Sequence, residues 1–137
     1  MVRAILAVLV AMAAFLVPIA VEMAIMLSKL TPEQLQAMRQ GQPPPTGNVT
    51  VAHFVSAYAY RYVAGFVGGF LAAQIARSMV PCLVALSLIM LIEFGGVWKL
   101  RNLVPVWWLA IAYPLLAVAI VAGIFVRRPR SVPAVAS

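Results

Sequence analysis

Residues 4–27 read AILAVLVAMAAFLVPIAVEMAIML, a run of 24 positions with one charge, Glu22. As a helix rising 1.5 Å per residue it covers the roughly 30 Å of hydrocarbon in a bilayer. In water the same helix would expose apolar side chains on every face, so the run decides the class of the chain. Three more runs of this kind follow, at 49–76, 79–98 and 105–126. The composition agrees: of 137 residues, 65% are hydrophobic and 9% charged, where a soluble domain carries roughly a quarter charged residues. Soluble folds are excluded, and no length remains for a separate soluble domain. The fold expected is all-α, an integral membrane four-helix transmembrane bundle occupying 1–137 as a single domain.

Span boundaries come from the charges and breakers. Arg3 before the first run imitates a secretory signal, but a signal core is about 7 to 15 residues; the longer run at 4–27 is expected to be a retained span. In the polar loop 28–48, Thr31 as N-cap, Pro32 at the first helical position and Glu33 in the first turn start a short helix. Leu35 and Met38, three apart, give it one apolar side suited to the membrane surface, and the prolines Pro43, Pro44 and Pro45 are expected to end it near Gln40. The run at 49–76 exceeds the hydrocarbon thickness and should tilt. Arg77 and Ser78 close it, and Pro81 opens the next after a tight turn. Lys99, Arg101 and Asn102 end the third span, Pro105 begins the fourth, and Arg127, Arg128 and Arg130 end that. Such short connections make the last three spans sequential antiparallel neighbours.

Ten Lys and Arg against three acids give a net charge of +7. In a soluble chain that excess would suggest nucleic acid; here the bases flank apolar runs and mark headgroup contact with membrane lipids, so no nucleic-acid partner is expected. Arg3, Arg77, Arg127, Arg128 and Arg130 fall on one side, and Lys29, Arg39, Lys99 and Arg101 on the other. The Arg cluster after the last span tips orientation toward both termini being cytoplasmic. Cys82, the single cysteine, lies in an apolar run and reads as a small core residue. Asn48-Val49-Thr50 matches a glycosylation tripeptide but abuts the membrane, and reads as a chance match.

Charges inside spans are expensive and therefore candidates for function. Glu22, Arg61 and Glu93 lie at depths that agree within roughly one helical turn, so they can share one polar layer. They read either as a proton or cation relay, or as a register lock in which Arg61 pairs with Glu22, Glu93 or both. Tyr58, Tyr60 and Tyr62 surround Arg61; Tyr58 and Tyr62 could satisfy its donors or line a small pocket. Tyr58 and Tyr62 also begin a stripe through Gly65, Gly69, Ala72 and Ala76, whose GxxxG spacing admits another helix backbone at close range. That stripe could serve packing against other membrane subunits or self-association.

His53 is the one residue suited to ligate haem iron or a chlorophyll magnesium, although an interface histidine is the plainer reading, and no cofactor is expected. No Cys/His cluster with metal spacing, phosphate loop or Ser/His/Asp set occurs in the sequence, which argues against an enzyme. Pro18 and Pro114 each remove a helix hydrogen bond and should kink their spans. Trp98, Trp107 and Trp108 read as an aromatic belt at one face.

The block from Gly65-Phe66-Val67-Gly68-Gly69 to Gln74-Ile75-Ala76-Arg77 resembles one in small bacterial four-span membrane proteins of uncharacterised function. Thr31-Pro32-Glu33 and Val106-Trp107-Trp108 are similar to the loop after their first span and the start of their fourth. The resemblance implies a multi-pass protein of the bacterial inner membrane and no activity. Small multidrug exporters also have four spans and a first-span glutamate, but this chain adds Arg61 and Glu93 as partners for Glu22. Two functions remain: a non-catalytic accessory subunit packed against a larger respiratory or photosynthetic type of complex, or a small oligomeric transporter or channel using Glu22, Arg61 and Glu93.

Overall fold

The computed structural model describes residues 1–41, 51–76, 78–100 and 106–127. They form five helices: α1 (Val2–Ser28), α2 (Pro32–Arg39), α3 (Val51–Ile75), α4 (Met79–Leu100) and α5 (Val106–Val126). Three of them, α1, α4 and α5, are long and apolar enough to cross a membrane. At 25 residues α3 has the length, but Arg61, Gln74 and three tyrosines make it the least apolar of the four long helices. Helices α1 and α5 continue through Pro18 and Pro114. The 48–50 tripeptide and the charged positions 77, 101, 128 and 130 lie outside the described residues.

Helix α3 is the hub. It packs chiefly on α5 and on α1, while α4 lies mainly on α1 and touches α5 and α3 less. The ring order is therefore α1, α3, α5, α4. This corrects the expectation of sequential neighbours, because α3 and α4, consecutive in the chain, share one of the smallest interfaces. Glycine decides the matter. A Cβ on Gly69 would collide with the backbone carbonyl of Ile120, and one on Gly123 with that of Phe66. Only paired glycines let α3 and α5 approach this closely. Gly65 receives the Leu116 and Ile120 side chains, and Gly68 faces the Ala11 carbonyl of α1. The matched positions ascend together, from Tyr62 with Ala112 to Gly69 with Ile120, so α3 and α5 run parallel. Ala4 and Val8 share a groove with Val80 and Val84, placing the starts of α1 and α4 at the same end.

Small residues also fill the rest of the core. Helix α1 buries Ala7, Ala11 and Phe15, one side chain per turn, and α3 buries Ala64, Ala72 and Ala73, with Ala76 buried just beyond its end. Helix α4 contributes Cys82, Ala85, Ile89 and Glu93, and α5 contributes Leu109, Ala112, Leu116 and Ile120. Spacings of three and four residues keep the α1, α4 and α5 sets each on one face, whereas adjacent Ala72 and Ala73 fit a helix packed on both α5 and α1.

Helix α2 begins with a reciprocal cap. The Thr31 N–H donates to Gln34 Oε1 at 3.0 Å and the Gln34 N–H to Thr31 Oγ1 at 3.3 Å. Gly41, at φ +78°, ends it. The left-handed residue stops this helix before the prolines are reached, which corrects the expected terminator.

Gly69→Ala and Gly123→Ala are each expected to lower stability in detergent by about 1–3 kcal/mol, the usual range for overpacking a tight contact. Gly95→Ala should not, because nothing stands within 4 Å of its added Cβ. Thermal unfolding of the purified variants measures the contrast.

Candidate functional site

Glu93 ends the buried stripe of α4, and Arg61 projects across from α3 to meet it. Arg61 Nε lies 3.2 Å from Glu93 Oε1, with the two side chains 20% and 9% exposed. This contact is an ion pair without an aligned hydrogen bond, since the Nε–H finds no acceptor in line. The guanidinium also sits 5.3 Å from the centre of the Tyr58 ring, within cation–π range. Arginine length explains how the pair forms although α3 and α4 are poorly packed neighbours: a long side chain crosses a gap that the backbones leave.

An aromatic shell encloses the pair. The Tyr58 ring is 6.2 Å from Tyr62 and stands edge-on to Trp108 at 6.1 Å. Phe94 meets Tyr113 at 6.2 Å on the far side of α4's last turns. Two hydroxyls tie the shell to neighbouring backbones: Tyr62 Oη donates to the Ala112 carbonyl at 3.2 Å, and Tyr113 Oη to the Met90 carbonyl at 2.7 Å. These bonds link α3 to α5 and α5 to α4. With the ion pair linking α4 to α3, three of the four long helices are braced at one level.

Of the three charges expected in one layer, two meet. Glu22, half-buried on α1, makes no ion pair among the described residues. Tyr58 and Tyr62 lie beside Arg61, whereas Tyr60 is exposed. Gly65 and Gly69 are occupied by α5, and Ala72 and Ala76 are buried, so this stripe is used within the chain. His53 falls in the first turn of α3, and its side chain is not among the described ones. Trp98 and Trp107 are exposed, as a belt requires, but Trp108 turns inward against Tyr58. Its indole Nε1 is buried without a partner. Cys82 is free and buried, its thiol directed at the Ser78 carbonyl at 3.9 Å. No cluster of three or more His, Cys, Asp or Glu side chains occurs among the described residues.

Sequence reading missed Gly123 and the Ala7–Ala11 pair as contact positions, as well as the two tyrosine tethers. The first two carry a signal: Ala119 to Gly123 and Ala7 to Ala11 are small residues four apart. The tethers carry none, because their acceptors are backbone carbonyls. No family model, curated protein or solved structure matches the chain.

Arg61→Met or Glu93→Leu alone should each destabilise the protein by about 3–5 kcal/mol by stranding a buried charge. The double variant should recover most of that loss. A double-mutant cycle on detergent unfolding checks it; additive losses would mean that the two side chains do not act as a pair.

Proposed function

We propose that the chain is a four-span, non-catalytic accessory subunit of a larger assembly in a bacterial inner membrane, of the respiratory or photosynthetic type. One observation carries this reading: Arg61 and Glu93 pair with each other and tie α3 to α4. The Tyr62 and Tyr113 hydroxyls nearby donate to backbone carbonyls, and Glu22 makes no ion pair among the described residues. A relay needs acids that exchange protons along a connected path, whereas this arrangement braces α3, α4 and α5. The braced helices include α3 as the second span, with Arg61, Tyr58 and Tyr62 engaged by neighbouring helices. The resemblance of the Gly65 to Arg77 block to small bacterial four-span proteins supports the location.

The outer face of α4 fits a subunit that packs against others. Leu91, Ile92 and Phe94 are exposed there, and Gly95 and Gly96 have open space where a Cβ would stand. The four other helical glycines all meet neighbouring helices within the chain.

After gentle detergent extraction, the protein should migrate on a native gel in a band well above its own mass, with other membrane subunits identified in that band by mass spectrometry. Migration alone would count against the accessory role. Purified into liposomes holding a pH-sensitive dye, it should not dissipate a pH gradient. Dissipation abolished by Glu22→Gln and by Glu93→Gln would establish the transporter instead.

A further inference from the structure

Two side-chain polar atoms among the described residues are buried with no hydrogen-bond partner, Arg61 Nε and Trp108 Nε1. Both are donors. Both side chains also contact one ring: Tyr58 has the Arg61 guanidinium 5.3 Å from its centre and the Trp108 ring 6.1 Å away. No hydrogen bond from the other guanidinium nitrogens reaches a described residue, and the side chain keeps 20% of its surface exposed. The cluster thus holds up to six N–H donors, five on Arg61 and one on Trp108, facing a single carboxylate that meets Nε off the hydrogen-bond line. It lacks acceptors.

Position narrows what could supply them. Glu93 lies seven residues before the end of α4 at Leu100, about 10 Å along the axis. Trp108 is in the first turn of α5 at the same end of the bundle. Arginine side chains on helices lean toward the helix N-terminus, which for α3 is this same end, so the guanidinium reaches toward the interface where the exposed Trp98 and Trp107 stand. A compact oxyanion with several acceptors, drawn in from the headgroup layer, matches donors at these two depths.

We propose that Arg61 and Trp108, both packed against Tyr58, bind a phosphate group, presented as the headgroup of an anionic phospholipid or as free phosphate. Arginine matches phosphate geometrically through paired N–H groups, and the indole N–H adds one directed bond. Glu93 holds the guanidinium from behind without saturating it. The site does not depend on the accessory role, since lipid binding and partner binding are read separately.

The test titrates the delipidated full-length protein in dodecyl maltoside with short-chain phosphatidylglycerol, inorganic phosphate, or the matching diacylglycerol, following thermal unfolding and tryptophan fluorescence. Phosphatidylglycerol should raise the unfolding temperature and diacylglycerol should not. A response to the lipid alone assigns a headgroup, and one to inorganic phosphate as well assigns free phosphate; either supports the site. Trp108→Phe keeps the ring and removes the N–H, and should weaken phosphatidylglycerol binding about tenfold, the worth of one charge-assisted hydrogen bond. Arg61→Gln should abolish it. Equal shifts with diacylglycerol, no shift with any probe, or undiminished binding in Trp108→Phe would overturn the proposal. If Arg61→Gln fails to fold, Trp108→Phe decides alone.

Discussion

The close contact of α3 with α5 is the constraint from which the rest of the arrangement follows. In lipid, apolar side chains gain nothing by leaving the solvent, because the solvent is as apolar as they are; association rests on packing contacts and on hydrogen bonds. Dispersion falls steeply with distance, so a bundle in this setting must bring its backbones together. Gly69 beneath the Ile120 carbonyl and Gly123 beneath that of Phe66 do so from both sides. Once these two helices are joined, α1 takes the remaining small-residue face of α3 through Ala11 and Gly68, and α4 is left to close the ring opposite.

That geometry also explains the polar layer. Helix α4 is held across the ring from α3, and a short side chain could not bridge them. The Arg61 to Glu93 pair does, and the Tyr113 bond to Met90 adds a second tie to α4 from α5. Helix α4 is therefore fastened near one end by polar contacts and elsewhere by Cys82, Ala85 and Ile89. Such groups specify register at a cost in desolvation. In a bundle whose other contacts are between small, similar residues, a directional tie distinguishes one helix setting from those a turn away.

The four long helices were legible because their signal is coarse: a run of apolar residues bounded by charge or proline. The α2 helix was legible through Thr31 and Pro32, although its end was misread, since a lone Gly41 gives a weaker cue than three prolines and acts earlier. Which helices touch was not legible from connection length. Consecutive helices are expected to neighbour each other, but the partner of the Gly65 and Gly69 face is set by the complementary Gly123, a single residue in a long apolar run. For the charged residues, a pairing of Arg61 with a carboxylate was legible and the choice of carboxylate was not. Glu93 lies on the buried stripe of α4 that Arg61 reaches, whereas Glu22 makes no ion pair among the described residues.

The parallel pairing of α3 with α5 has a consequence for the order of events at synthesis. Residues 76–105 separate the two helices, and α4 lies within them. When α3 leaves the ribosome its glycine groove has no occupant and, with α3 as the second span proposed above, its guanidinium and three tyrosines arrive before either α4 or α5 exists to receive them. Its first available companion is α1, through Gly68. On that reading the hairpin with α1 holds the least apolar helix while the face that α5 will cover is still vacant. In this chain α4, which shares the least contact with α3, is made before α5, which shares the most.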